Sequence, residues 1–189
     1  MNDLTSIVFL RHGKTEGNLR RAYIGRTDEP LCSEGIEEIR SRAFPQADIV
    51  ISSPMKRCIQ TAELIYPHVP IRIYDDLREC DFGDFEGKSY HELDGDNDYQ
   101  AWIDSGGMLP FPNGEAHEDF CERCCRAFLS AASEIDGQSA AMVVHGGTIM
   151  AVLERFARPE MNFYDYMKNN CCGYLTEYKC GEIRIIKEV

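Results

Sequence analysis

The chain is short of positive charge: 20 lysines and arginines stand against 32 aspartates and glutamates, a net charge of −12. A surface of that sign repels phosphate backbones and anionic lipid, so neither nucleic acid nor a membrane is expected as a partner. A small anionic substrate stays open, because screening over about 8 Å lets a pocket's own arginines outweigh distant acids. Also missing are an apolar run long enough to cross a bilayer and a charged start leading into a signal-like apolar stretch. The expectation is a soluble, cytoplasmic chain. There is no internal repeat and no low-complexity segment. At 189 residues one domain over residues 1–189 is expected, and at that size roughly 70% of the unfolded chain's surface can be buried.

Cysteine is plentiful, but a cysteine pattern is lacking. The nine cysteines are odd in number and scattered, which suits a reducing compartment without disulfides. "CERCC", Cys121 to Cys125, contains a CxxC, yet no second pair follows at zinc-ribbon spacing. Phe120, Cys124, Ala127, Phe128, Ala131 and Ile135 instead recur at the spacing of one helical face. A buried helix face is therefore expected, with no metal and no cofactor. "DGDND", Asp94 to Asp98, has Tyr99 where a calcium loop needs glycine and lacks the final glutamate, so it reads as a solvated acidic turn.

What is present is alternation. Strand-length apolar runs lie at Ile7 to Leu10, Asp48 to Ser52, Ile71 to Tyr74 and Ala140 to Val144, and two more, "GYLTEY" and "EIRIIK", close the chain. Helical patterns start near Ser33, Pro54, Glu115 and Gly147, with Pro54 read as a first-turn proline behind an N-cap at Ser53. Such an order indicates an α/β domain with a mostly parallel sheet, and the "KCGE" turn adds an antiparallel edge. Residues 88–114, rich in glycine, proline and aromatics, read as a lid or specificity insertion at one end of the sheet.

Unusual polar residues fall at the ends of these strands. Arg11 and His12 follow the first, Arg57 lies in the first helical turn after the second, Glu79 follows the third and His145 ends the fourth. If the strands run parallel, all five share the edge where open α/β sheets bind ligands. Guanidinium forks and helix N-termini after Ser53 and His145 suit a phosphoryl group, a neutral imidazole is a nucleophile, and a glutamic acid can protonate a leaving oxygen. Singly each residue is ordinary, but buried together they need an anionic ligand.

The segments "LRHGKTEGN", "YIGRTDEPLCSEG", "SSPMKRCIQTA", "LRECDFGDFEG", "PNGEAHEDF" and "VVHGG" carry a resemblance: in this order the chain resembles the histidine phosphatase superfamily, the phosphoglycerate-mutase-like fold. The resemblance implies a three-layer α/β/α sandwich. It implies that His12 becomes phosphohistidine, that Arg11, Arg57 and His145 clamp the phosphate with Asn18 and the backbone at Gly25 and Gly146, and that Glu79 is the general acid and then the base for water. No metal enters that mechanism. Lys14 replaces a more usual glutamate or glutamine, and Ile24 stands where a small polar side chain is common. The compact interval between the glutamate and second-histidine motifs is similar to the phosphatase branch rather than the mutases, with a catalytically silent binding module as a further alternative. Within that branch "RHGKTEGN" and "YIGRTDEPL" resemble bacterial α-ribazole phosphatases, which implies α-ribazole 5′-phosphate of cobalamin synthesis as substrate, with broader monoester hydrolysis left open. A homodimer is also left open. Tyr90, Trp102, Met108 and Phe111 would suit a flat aromatic base or simply form the lid's core, and Arg20, Arg21 and Arg26 would form either a cationic rim or a solvated face.

Overall fold

The computed structural model describes residues 4–135 and 137–189. In chain order the strands are β1 (Thr5–Arg11), β2 (Ile49–Ser52), β3 (Ile71–Ile73), β4 (Ala140–Val144), β5 (Ala157–Arg158), β6 (Gly173–Lys179) and β7 (Glu182–Glu188). The helices are α1 (Glu16–Leu19), α2 (Ser33–Ser41), α3 (Lys56–Ile65), α4 (Asn97–Asp104), α5 (His117–Ser133) and α6 (Gly146–Phe156). Among the described residues the strands form one sheet in the order β3-β2-β4-β1-β6-β7-β5. Its first four members are parallel, and β6 turns antiparallel against β1.

The central strands are apolar throughout because both faces are covered. Ile7, Phe9, Ile51, Met142 and Val144 pack on one side with Phe128 of α5 and Leu153 of α6. Val8, Leu10, Val50, Ala141 and Val143 pack on the other with Cys58 and Ala62 of α3. Helix, sheet and helix therefore make the expected three layers. The α5 face carrying Phe120, Cys124, Ala127, Phe128 and Ala131 is buried, as its spacing predicts. The first eight residues of α6 are all buried, because the sheet, α5 and a turn at Phe163–Tyr166 close over it. No helix among the described residues is long and apolar enough to cross a membrane.

Register decides what meets at the carboxyl edge. Arg11 pairs with Val144 and Ser52 with Val143, so His12, Ser53 and His145 leave the sheet side by side. Three details differ from expectation. Helix α3 starts at Lys56 rather than Pro54 and takes no side-chain cap from Met55; the Ser53 hydroxyl, 2.8 Å from His145 Nε2, accepts from the Met55 amide at 3.4 Å just ahead of the helix. The Lys56 amide donates instead to Asp28, 2.7 Å away and remote in sequence. The closing hairpin forms, with Cys180 and Gly181 both at positive φ, the geometry of a two-residue I′ turn. It is not the last strand pair, however: β5 adds to β7 and takes the edge. Finally, the acidic stretch is the exposed turn expected but also a cap, for Asp96 accepts from the amides of Asp98 and Tyr99 and starts α4 inside residues 88–114.

Candidate active site

His12 leaves β1 almost wholly buried, with its amide donating to Val144 O. Its Nδ1 lies 2.7 Å from the Gly13 carbonyl. A carbonyl can only accept, so Nδ1 carries the proton and the Nε2 lone pair is left available. Burial pushes the imidazole pKa well below its ordinary value, and the Arg57 and Arg11 guanidinium groups push it further. The ring is neutral near pH 7, the state in which an imidazole can act as a nucleophile. Asn170, buried beside it, donates from Nδ2 to the His12 carbonyl at 3.0 Å and to Asn18 Oδ1 at 3.2 Å. Asn18 Oδ1 also accepts from Thr15, which leaves the Asn18 amide nitrogen as its remaining donor.

Arg11 donates from Nη1 to the Lys168 carbonyl at 2.8 Å. Arg57, the largest fully buried side chain, donates to the carbonyls of Thr27 and Gly25, each at 2.8 Å. In both arginines Nε is buried without a hydrogen-bond partner. An unmet charged donor costs several kcal/mol in a dry site, so two of them beside one imidazole would favour an anion there.

The predicted residues do not all reach the cavity wall. Arg11, His12, Asn18, Glu79 and Gly146 do, around a cavity of about 550 Å³. Arg57 and His145 lie one layer behind. Arg57 spends its fork on the loop at Gly25 and Thr27, and His145 sits between Ser53 and His12, edge-on to the latter with ring centroids 5.2 Å apart. Burial, then Arg57, then His12 and Arg11 lower the His145 pKa well below its usual value, so this ring too is neutral. Gly25 requires a correction: its amide is committed to the Glu86 carboxylate at 2.9 Å and is not free for phosphate. Lys14, the departure from the family pattern, faces Glu34 and Glu38 on the surface.

Glu79 is buried at the N-terminus of α6. One oxygen accepts from Gly147 N at 3.1 Å and the other from Cys80 N at 3.0 Å. A Cβ on Gly147 would overlap that carboxylate, so close approach requires glycine. The segment carrying Glu79, past a turn at Asp75–Leu77, is held by Arg123 of α5, which donates to the carbonyls of Asp76, Arg78 and Glu79 and makes a two-pronged pair with Glu115 at 2.6 and 2.7 Å. Sequence reasoning passed over Arg123 because it sits inside "CERCC", on the polar side of an amphipathic pattern.

The rest of the cavity is aromatic. Trp102 and Phe111, ring centroids 5.2 Å apart, pack with Tyr23, Phe82 and Phe85, so both lining and lid-core readings apply to the same side chains. Tyr90 also lines the cavity, whereas Met108 is exposed and does not. Of the three candidate rim arginines only Arg21 reaches the wall; Arg26 pairs with Asp81. The far wall, Phe163, Tyr164, Met167 and Asn170, comes from the segment between β5 and β6 and was missed. "FYDYM" carries the one available signal, an aromatic cluster in a region without strand or helix period.

Comparison with known proteins follows this geometry. Residues 7–188 match the family model of the histidine phosphatase superfamily (branch 1). The uncharacterised phosphatase PhoE of Bacillus subtilis is 30% identical, over 96% of this chain and 93% of its own. The adenosylcobalamin/α-ribazole phosphatase of Escherichia coli is 30% identical over 77% of this chain and 76% of its own. The crystal structure of a phosphoglycerate mutase from Thermus thermophilus superposes with a TM-score of 0.74 at 27% identity, covering 99% of this chain and 98% of that one. With the sheet order, the carboxyl-edge site and these matches in agreement, the chain belongs to the histidine phosphatase superfamily, branch 1.

Proposed function

We propose that the protein hydrolyses small phosphomonoesters through a phosphohistidine at His12. One observation carries this reading: a neutral, tautomer-locked imidazole lies beside two buried guanidinium groups, each with an unpartnered Nε. His12 Nε2 attacks phosphorus in line, the ester P–O bond breaks, and Glu79 gives its proton to the departing oxygen. Water then attacks phosphorus and the P–N bond breaks. Glu79 takes the water's proton, the bond's electron pair returns to His12, and inorganic phosphate leaves. Arg11, with Arg57 and His145 behind it and Asn18 and the α6 amides beside it, balances charge on the transferring oxygens. No metal takes part in these steps.

The aromatic cavity supports a flat leaving group, and α-ribazole 5′-phosphate is the substrate we assign, in keeping with the phosphatase branch motifs and with the activity named for the Escherichia coli relative. Residues 88–114 serve as the lid of this single domain. The test is phosphate release in the presence of chelator from p-nitrophenyl phosphate, 3-phosphoglycerate and α-ribazole 5′-phosphate, with His12→Ala as blank. Preferential hydrolysis of the ribazole ester, lost in the variant, is the expected result. Isomerisation of 3-phosphoglycerate on bisphosphate priming, without net hydrolysis, would make the protein a mutase. Binding of phosphate with no turnover and no labelled His12 would make it a binding module.

A further inference from the structure

Outside the phosphate site, α5 and α6 bring three unlike donors together. His117 opens α5, Cys121 lies four residues on and so on the same face, and Glu154 comes from α6. One donor atom from each lies within 4.8 Å of the others. The His117 Nε2 to Cys121 Sγ separation is 3.6 Å. Zinc–sulfur and zinc–nitrogen bonds of about 2.3 and 2.0–2.1 Å, opened to the tetrahedral angle, put sulfur and nitrogen about 3.6 Å apart. The pair is therefore already spaced as two corners of a zinc tetrahedron. Glu154 is exposed, so a rotamer change brings its carboxylate to a third corner at little cost.

We propose that His117, Cys121 and Glu154 form a binding site for a borderline-soft divalent ion of the zinc class. Imidazole, thiolate and carboxylate together select such an ion over magnesium or calcium, which take oxygen alone. Binding breaks the Cys121 S–H bond and forms a metal–sulfur bond, with the proton released to solvent. The expectation of no metal weighed Cys121 against Cys124, and these two are not partners: the Cys124 thiol donates to the Asp76 carbonyl at 3.7 Å, while Cys121 faces His117. Cys125 is occupied as well, with its thiol directed at Ala151 O, 3.4 Å away. The site lies in a groove of about 660 Å³ that Glu118 and Glu122 also line; Arg126 and Arg155 line it too, Arg126 being paired with Asp76. His117 borders both this groove and the phosphate cavity, and its ring meets Phe163 edge-on at 4.7 Å. An ion held here fixes one wall of the catalytic cavity. The inference does not depend on the phosphatase reading.

The experiment uses chelator-stripped protein in which the two other accessible thiols are removed as Cys172→Ser and Cys180→Asn. It is titrated with Co²⁺, read by the sulfur-to-cobalt charge-transfer band, and with Zn²⁺ against a chromophoric chelator. One equivalent bound, a cobalt–thiolate band, one proton released, and affinity lowered about tenfold or more in each of His117→Ala, Cys121→Ser and Glu154→Gln are expected. Circular dichroism and thermal unfolding check that each variant folds; Glu154→Gln, at an exposed position, keeps the test decisive if Cys121→Ser does not. Absence of the band, or a band and affinity unchanged by His117→Ala and Glu154→Gln, would mean an adventitious ion only and would overturn the site.

Discussion

At the scale of single residues, Glu79 and its neighbours give the sharpest expectation. A methyl group at position 147 overlaps the Glu79 carboxylate and also presses on the Phe120 ring. Gly147→Ala should therefore lower kcat for an ester with a poor leaving group by about tenfold or more, since misplaced general acids lose much of a 10²–10⁴-fold contribution. Activity on p-nitrophenyl phosphate, whose leaving group needs little protonation, should fall less; equal losses on both would remove Glu79 from the acid role. Arg123 acts at one remove. Arg123→Met removes the guanidinium from the carbonyls of Arg78 and Glu79 and leaves the Asp76 carbonyl with only the Cys124 thiol and the Glu115 carboxylate with only the Asp81 amide. Unfolding in urea should show a loss of about 2–4 kcal/mol. Arg123→Lys should recover only part of it, because an ammonium cannot reproduce the planar fork.

At the scale of elements, residues 88–114 and α3 each carry an expectation. Trp102→Leu removes the ring that joins Tyr99, Tyr23 and Phe111. It should raise KM for esters with flat aromatic groups more than for glycerol phosphate, and equal changes would assign Trp102 to lid packing alone. Asp28→Ala uncaps α3 and should cost about 0.5–2 kcal/mol by thermal or chemical unfolding. These two cases also mark what the sequence could disclose. Strands β1, β2 and β4 were legible because burial on both faces leaves an uninterrupted apolar run, and the α5 face because its period is strong. Their ends then located Arg11, His12, Arg57 and His145, and the run from Ile71 to Tyr74 located Glu79. The α3 cap was not legible, since its acceptor is Asp28, far off in sequence, and β5, two residues long, has no period at all. Asn170, Arg123 and the Phe163–Met167 wall were missed for a related reason: each owes its place to tertiary packing, not to a local pattern.

At the scale of the whole molecule, charge and pH come together. The folded chain holds His12 and His145 neutral below the pH at which the unfolded chain protonates them. The unfolded state thus binds more protons below about pH 6.5, so stability is full above that value and is lost as pH falls toward the folded pKa values, at up to about 1.4 kcal/mol per pH unit for each ring. Urea titrations between pH 7 and 5 in phosphate-free buffer should show this slope, and His145→Asn should reduce it; a flat profile would mean that the rings are charged in the folded state. The sheet order has a different consequence. Val8 of β1 is paired with Leu175 of β6, so the strand that leads into His12 acquires one of its two neighbours only from a segment made some 160 residues later. While a ribosome is still building the chain, β1 has an open edge and the Phe163–Met167 wall does not exist. β1 can complete its pairing only once that segment has been made, and until then its unpaired edge is open to another strand.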